Sequence, residues 1–528
     1  MDYKGRIIGK SITEIYFRTF YEEELNLGDI LVAWDEDRNL PFYLRVVDIS
    51  YGVDASDPDW TSRTAGNMML LDREEESYQF QEKERRLFKI GRCNLLGYVS
   101  KGSAFGGKGQ EFRKPKALPA HFSRVKTPQS SDFAFLKKYI GDIEIGHLRS
   151  GDKALDFPIG ISGELFPHHI GIFATTGIGK SNLMKVLAGS VLESGRYGML
   201  ILDPHGEYYD GGGDPNYKGL IDHSFASERL RVYSSRDLKG PHNKLKISSR
   251  EIEIKDIRHI YGFTQPQVEV LYALWSLFGK DWLEKVNLTP LKELSLQISL
   301  GGGFFESTLG VIQRRAEHIL RLPFVHKDSS LSITNNVIND LKLGKTVLID
   351  TSNMCEQEEL LVSAILARAV LNYNKNLYQN PSEFKKLLPV LIVMEEAQRV
   401  LASKGEQDIN IFAQISREGR KFKTGLCAIT QQPKLIHEEL LSQFNTLFIL
   451  GLADERDRNI LKSSAKNDIS DLGTEIQMLE AGEAILTSPQ SPFAIPAKIY
   501  LYEEWLRSRE IEIRERVTSK TKLDEGFF

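Results

Sequence analysis

The sequence has few of the features that would cross-link the chain or place it in a membrane. Its three cysteines, Cys93, Cys355 and Cys427, are widely spaced and form no CxxC pair. This spacing argues against a disulfide framework or a zinc site and indicates a reducing cytosol. The N-terminus lacks an apolar signal core, and the longest apolar runs, such as Leu387–Met394, have only the length of a strand. None approaches the roughly 18 apolar residues that span a bilayer, so we expect a cytoplasmic protein without membrane segments.

The chain also has no excess of positive charge. Its 68 lysines and arginines stand against 72 aspartates and glutamates, which gives a formal net charge of -4. Attraction of the whole surface to nucleic acid is therefore not expected. A local basic channel remains possible, because phosphate contacts depend on where the charges lie.

The length and the apolar pattern indicate more than one domain. A chain of 528 residues is too long for one core, since single cores rarely exceed about 250–300 residues. Residues 1–118 contain short β-rich runs separated by Gly, Asp and Asn, which predict a small β-barrel. From about residue 165, apolar strands alternate with helical segments, which is typical of an α/β fold with a parallel sheet covered on both faces. Residues 245–340 read as a helical insertion.

A phosphate-binding loop is predicted after the strand His169–Ala174. The segment TTGIGKS precedes a helix, and its glycines let backbone N–H groups turn toward phosphate oxygens. Lys180 would reach the β- and γ-phosphates of ATP, and Ser181 would hold magnesium. A chance match is the alternative, which the flanking strand and helix disfavour. The predicted nucleotide-binding residues are Thr176, Gly177, Ile178, Gly179, Lys180, Ser181 and Asn182.

Two carboxylates follow the buried strand Val390–Met394. Glu395, at the strand tip, would approach the magnesium, and Glu396 would orient and deprotonate the attacking water. The alternative is a pair of acids at a helix start, where negative charge is common. A second strand, Leu426–Thr430, ends in amides that would sense the γ-phosphate or would simply begin a loop.

Arg417 and Arg420 are three residues apart and share a helical face. Lys180 already serves the γ-phosphate within one chain. The arginines would therefore complete the site of a neighbouring copy, as arginine fingers do. The alternative is a solvated basic helix face.

Taken together, the segments HHIGIFATTGIGKS, LILDPHGEYYD, LIVMEEAQRV and ISREGRKFKTGLCAITQQP resemble the HerA branch of the HerA–FtsK P-loop ATPases. The resemblance covers most of the chain and is weakest in residues 50–120 and 245–340. It implies an N-terminal barrel, a RecA-like core over residues 119–499 and a C-terminal brace over residues 500–528. It also implies a homohexameric ring that uses ATP and Mg²⁺ to move double-stranded DNA through a central pore.

The resemblance also implies roles for single residues. Glu396 is the expected base, with Glu395 on the metal side. Asp203 in DPHGE is the expected acid beside the site, with a plain turn acid as the alternative. Gln432 is the expected sensor, with Gln431 as a second candidate. The expected trans-acting finger is Arg420, with Arg417 second.

The chain departs from the family pattern at Ala174, where the strict loop has Gly, and at Gln398, where many relatives carry His. The second departure would alter coupling without removing hydrolysis.

Two functions of different classes fit this resemblance. The first is a DNA translocase or helicase that works with a partner nuclease or other effector, which would dock on the N-terminal barrel. The second is a ring scaffold in antiphage defence, where ATP would organise a nuclease or a sirtuin-like NADase. A conjugation- or secretion-type motor is a third, which the lack of membrane segments disfavours.

Overall fold

The computed structural model describes residues 3–52, 57, 59–71, 86–101, 110–298, 306–402 and 410–512. The described residues form two compact units. The first draws on Met1–Ile140, Gly146–Ile159 and Asn467–Lys498, and the second on Gly141–Ile145, Gly160–Lys466 and Ile499–Phe528. In these described ranges, no helix combines the length and the apolar character needed to cross a membrane.

A closed antiparallel barrel dominates the first unit. The strand order is β2-β1-β7-β3-β4-β5, and β5 pairs back onto β2, while β6 extends the sheet beyond β5. Alternate side chains, such as Ile15 and Phe17, point into an apolar core. The strands are β1 (Tyr3–Lys10), β2 (Ile15–Phe20), β3 (Ile30–Asp35), β4 (Leu40–Tyr51), β5 (Phe88–Lys101), β6 (Gln110–Arg113) and β7 (Arg124–Lys126).

The predicted barrel is present, and it continues past residue 118. The three-residue strand β7 pairs with both β1 and β3 and so closes the barrel. It was not foreseen because Arg124–Lys126 has one apolar residue between two cations, which gives no strand signal. The first unit also contains helix α1 (Trp60–Leu71) and the antiparallel pair β20 (Glu483–Thr487) and β21 (Ile495–Ile499).

A parallel sheet forms the centre of the second unit, in the order β13-β12-β16-β11-β17-β18-β10-β19. Its middle strands are buried along their whole length, as the continuous apolar runs predicted. The α/β prediction is confirmed. The strands are β10 (Ile170–Phe173), β11 (Gly198–Asp203), β12 (Leu230–Ser234), β13 (Asn243–Lys244), β16 (Thr346–Asp350), β17 (Val390–Met394), β18 (Thr424–Thr430) and β19 (Thr446–Ile449).

A separate two-stranded sheet is formed by β14 (Ile247–Ser248) and β15 (Val325–His326). Strands β8 (Ile143–Ser150) and β9 (Lys153–Ile161) contribute residues to both units. The second unit also contains most of the helices. They are α2 (Lys180–Ser194), α3 (Glu207–Asp210), α4 (Ala226–Arg229), α5 (Ile254–Tyr261), α6 (Gln265–Phe278), α7 (Trp282–Leu288), α8 (Leu291–Ile298), α9 (Glu306–Leu320), α10 (Thr334–Lys342), α11 (Glu356–Tyr378), α12 (Pro381–Lys386), α13 (Gln398–Leu401), α14 (Ile411–Glu418), α15 (Glu438–Leu441) and α16 (Glu455–Ser464). Helix α17 (Gly473–Met478) belongs to the first unit.

Helices α5 to α9 occupy the region predicted as a helical insertion. Helix α9 packs against α6, α7 and α8. Trp282 is fully buried, and its indole N–H donates to the carbonyl oxygen of Ile252 at 2.9 Å. Residues 502–512 form a last helix, whose Trp505 ring would lie 2.6 Å from a Cβ on Gly189 of α2. This segment therefore packs on its own chain, and residues 513–528 of the predicted brace lie outside the described residues.

A buried ionic cluster joins three distant segments of the first unit. The guanidinium of Arg45 on β4 donates twice to Glu475 on α17, at 2.9 and 2.7 Å, and Arg149 donates to the same carboxylate at 2.6 Å. All three side chains are at most 5% exposed. Gly28 packs so closely that a Cβ there would lie 2.5 Å from the Glu475 carboxylate. Burial alone would raise the pKa of Glu475, but the two guanidinium groups outweigh it and lower the pKa below 4.5.

We expect Glu475→Gln to destabilise the first unit by about 3–5 kcal/mol, because two buried guanidinium groups lose their carboxylate. Urea unfolding at pH 7 measures this loss. Because the pKa of Glu475 is lowered, its contribution is complete above pH 4.5 and disappears at lower pH as the carboxyl group protonates. The wild-type and variant midpoints should therefore converge in acid.

The matched control is Glu24→Gln, which removes a carboxylate of the same unit from an exposed pair with Lys153 at 3.0 Å. Its unfolding midpoint should stay at the wild-type value, because exposed pairs contribute little. Equal shifts for the two variants would show that burial does not set the strength of the cluster.

Candidate functional site

The loop between β10 and α2 has the backbone of a phosphate cradle. Gly177 and Gly179 have φ angles of 81° and 107°, in the left-handed region that glycine adopts without strain. A Cβ on Gly177 would meet nothing within 4 Å, so open space lies above the loop. Helix α2 begins at Lys180 and directs its first N–H groups and its positive dipole end at that space.

Lys180 lies on the loop itself. Its ammonium donates to the carbonyl oxygens of Thr175 at 3.2 Å and Ala174 at 3.4 Å. Burial lowers its pKa, while the nearby carboxylates Glu395, Glu396 and Glu207 act in the opposite direction. These bonds are long, so a phosphate oxygen can replace the carbonyls as acceptor. The loop and its lysine therefore fit a nucleoside triphosphate.

Glu395 lies at the tip of β17 and is almost fully buried. Burial raises its pKa to about 7, although the Tyr208 hydroxyl donates to the carboxylate and opposes this effect. Tyr208 itself is completely buried, which raises its pKa well above 10.0. Sequence reasoning missed this partner, which a tyrosine directly after the DPHGE segment could have indicated.

Glu396 follows in the left-handed region, with a φ of 50°. Its carboxylate is only half-buried and accepts a hydrogen bond from the side-chain amide of Gln398 at 2.5 Å. The amide oxygen of Gln398 accepts in turn from the hydroxyl of Thr430 at 2.5 Å. The two acids thus differ in environment. Glu395 is enclosed beside Tyr208, whereas Glu396 is partly exposed and is hydrogen-bonded through Gln398 to Thr430.

The Asp203 carboxylate closes the turn after β11. It accepts backbone N–H bonds from Gly206 at 2.7 Å, Tyr208 at 3.0 Å and His205 at 3.1 Å. Burial raises its pKa to about 6. This is the arrangement of a strand-end turn acid, the alternative to a direct role at the nucleotide. The acid of this turn that lies close enough to affect Lys180 is the exposed Glu207, which sequence reasoning did not single out.

Of the two amides after β18, the structure places Gln431 at the phosphate loop. Its side-chain oxygen accepts from the hydroxyl of Thr176 at 2.6 Å. The side chain of Gln432 is exposed, and its backbone N–H donates to Thr430 at 3.0 Å. Of the two predicted sensor amides, Gln431 is thus the one whose side chain contacts the phosphate loop.

The side chain of Asn182, expected at the nucleotide, is used elsewhere. Its amide nitrogen donates to the carbonyl oxygen of Tyr500 at 2.8 Å, and its oxygen accepts from the N–H of Tyr502 at 2.9 Å. Asn182 therefore anchors the C-terminal segment to helix α2. Ser181, one residue earlier, lies half-buried beside Lys180 at the helix start, where magnesium would be held.

Neither candidate arginine makes a described contact with the residues of this site. Arg417 is bound within its own chain, with its Nε atom 3.0 Å from a carboxylate oxygen of Glu439. Arg420 is exposed, and its guanidinium makes no ion pair or hydrogen bond with any residue that the structure describes. It precedes β18 and lies close enough to His168 to help burial lower the pKa of that side chain. Because β18 has seven residues, about 20 Å separate Arg420 from the catalytic edge.

Comparison with known proteins places the chain. A family model described as "Helicase HerA, central domain" matches residues 143–370. The "DNA double-strand break repair helicase HerA" of Sulfolobus acidocaldarius is 30% identical over 423 residues, covering 76% of this chain and 80% of the relative. The protein of the same description from Saccharolobus solfataricus is 26% identical, with 79% and 80% covered.

Solved structures give weaker likenesses. The plasmid coupling protein TrwB with ADP and Mg²⁺ has a TM-score of 0.46 at 14% identity, covering 65% of this chain and 88% of that one. VirB4 of Thermoanaerobacter pseudethanolicus has a TM-score of 0.44 at 15% identity, covering 68% and 96%. These scores add nothing to the assignment, which depends on the sequence relatives and on the phosphate loop. The chain is a P-loop ATPase with a RecA-like core and belongs to the HerA family.

Proposed function

We propose that this ATPase works as a homohexameric ring that translocates or unwinds double-stranded DNA, together with a partner nuclease or other effector. The observation that carries the proposal is the position of Arg420. It is exposed, without an ion pair in the described residues, and at the opposite end of β18 from its own phosphate loop. An arginine so placed does not reach the nucleotide of its own chain, which leaves its guanidinium available to the nucleotide of another copy.

Within one chain, we assign the steps of hydrolysis to residues at one edge of the sheet. Lys180 and the loop N–H groups bind the phosphates, and Gln431 senses the γ-phosphate. Ser181 and Glu395 would hold magnesium, which supplies charge neutralisation for phosphoryl transfer. Glu396 would accept the proton of the attacking water, for which a half-buried carboxylate with solvent access is suited.

A DNA substrate is supported by the names of the relatives, which are described as helicases of DNA double-strand break repair. With a net charge of -4, the chain would hold duplex DNA through a local set of cations that line a pore. Such contacts fall on phosphates and carry no sequence information.

The effector would dock on the barrel of the first unit. Aromatic side chains there are exposed: Phe20 to 59%, Tyr51 to 72% and Phe122 to 64%. Six copies of such a surface on one face of a ring would give a multivalent partner high avidity from weak single contacts. A ring scaffold that activates a nuclease or an NADase in antiphage defence would use the same surface.

We expect Lys180→Ala to lose ATP binding, because the loop then has no cation for the γ-phosphate. Glu396→Gln should bind ATP normally and hydrolyse it at least about a hundredfold more slowly, since an amide cannot accept the proton. Nucleotide binding and phosphate release measure the two effects. The control is Lys239→Ala, an exposed lysine of the same unit, which should match the wild type. Wild-type turnover by Glu396→Gln would overturn the assignment of the base.

Rings mixed from Arg420→Ala and Glu396→Gln subunits should recover ATPase activity that neither parent ring shows. Recovery arises at interfaces where an intact Glu396 meets an intact Arg420 from the neighbour. ATPase rates over a series of mixing ratios, with ring size checked by light scattering, test this. The same series with Arg417→Ala is the matched comparison, because Arg417 is held by Glu439. Absence of recovery at every ratio in intact rings would contradict a finger in trans.

Duplex DNA should bind without sequence preference and with steep salt dependence. If six to ten phosphates are contacted, raising the salt from about 50 to 200 mM should weaken binding by about three to five orders of magnitude. Fluorescence anisotropy with two unrelated duplexes measures both properties. Binding that ignores salt, or an ATPase rate that duplex DNA leaves unchanged, would contradict the motor and favour the ring scaffold.

A further inference from the structure

The base assigned above is held by a chain of side chains that begins on another strand. The backbone N–H of Gln432 donates to the Thr430 hydroxyl at 3.0 Å, and that hydroxyl donates to the amide oxygen of Gln398 at 2.5 Å. The amide nitrogen of Gln398 then donates to the carboxylate of Glu396 at 2.5 Å. The direction of each bond is fixed, because the Thr430 oxygen has one hydrogen to give and the carboxylate can only accept.

The backbone around Glu396 is fixed as well, so the remaining freedom lies in its side chain. The φ of 50° at Glu396 is a strained value for a residue with a Cβ. It is maintained by the N–H of Ala397, which donates to the Ile429 carbonyl of β18 at 3.1 Å. Gln398 is the described side chain that donates to the Glu396 carboxylate and thereby sets its direction.

We infer that Gln398 is the positioning residue of Glu396, oriented by the hydroxyl of Thr430. The inference rests on the proposed role of Glu396 as the base. Thr430 is the residue before Gln431, which contacts the phosphate loop through Thr176. The turn after β18 thus touches both the loop and the chain that orients the base. A phosphate that displaces Gln431 from Thr176 would shift the neighbouring Thr430 hydroxyl. Through Gln398, this shift would change the direction of the Glu396 carboxylate.

The test measures kcat and nucleotide affinity separately in the full-length protein. Gln398→Ala and Thr430→Val each remove one link, and each should lower kcat by roughly 10–100-fold, the scale of a misplaced catalytic group. The affinity for a non-hydrolysable ATP analogue with Mg²⁺ should stay within about twofold of wild type. Neither side chain contacts the phosphate loop, and the contact that Thr430 does make with it, from the Ala174 N–H to the Thr430 carbonyl oxygen, is a backbone bond that both substitutions keep. Thr430→Ser keeps the hydroxyl and should regain most of the kcat that Thr430→Val loses.

The double variant Gln398→Ala/Thr430→Val decides whether the two residues act as one chain. Its kcat should equal that of Gln398→Ala alone, because Thr430 has nothing left to orient. Independent, multiplicative losses would overturn the inference, as would wild-type kcat in Gln398→Ala. Glu396→Gln in the same series separates failure of the positioning role of Gln398 from failure of the assignment of Glu396 as the base. If it is inactive while Gln398→Ala is normal, only the positioning role fails, and if it is active, the assignment of the base fails as well.

Discussion

The ATP site depends on the parallel register of the central sheet, because that register brings separate strand ends to one edge. Phe173 at the end of β10 pairs with Thr430 at the end of β18, and Met394 at the end of β17 pairs with Ala428 two residues earlier. The phosphate loop, the carboxylates and the Gln431 amide therefore lie together although their segments are up to 255 residues apart. A slip of one residue in any strand would move its functional group by about 3.3 Å and separate the set.

Placing carboxylates at a buried edge has an electrostatic cost, and the site meets it with local donors. Asp203 takes backbone N–H groups from its own turn, and Glu395 takes the hydroxyl of Tyr208. Burial remains the main influence on both acids, and it raises the pKa of Asp203 to about 6 and that of Glu395 to about 7. Lys180 lies close enough to Glu395, Glu396 and Glu207 for their charges to raise its pKa against the effect of burial. The cation and these acids therefore stabilise one another before any nucleotide binds.

The sequence allowed the strands, the loop and the acids to be predicted, because each has a local signal. An apolar run followed by glycines and Lys180, or by Glu395 and Glu396, can be recognised without knowing the fold. What could not be predicted depends on which side chains meet. The contact of Gln431 with the phosphate loop and the anchoring of the C-terminal segment by Asn182 are set by tertiary hydrogen bonds. The bonds of Asp203 are local, but which N–H groups its carboxylate takes depends on the geometry of the turn.

The boundary of the barrel unit was hidden for the same reason. Its ionic cluster joins Arg45 to Glu475, which lies 430 residues later in the chain. The apolar pattern of residues 1–118 cannot predict that pairing. The first unit is thus assembled from three chain segments. A cut at residue 118 would strip β7 from the barrel and leave Glu475 without Arg45, so single substitutions are the better probes of this surface.

Strand β18 gives the proposed ring a physical connection between neighbouring sites. Its first end follows Arg420, and its last residue, Thr430, begins the hydrogen-bonded chain to Glu396. Since the two ends of a strand cannot face the same nucleotide, a finger role requires that one edge of the sheet face the opposite edge of the next copy. Such a head-to-tail contact closes into a ring when its rotation allows. In that arrangement, the strand that offers an arginine to one neighbour also positions the base of its own site, which receives an arginine from the other neighbour.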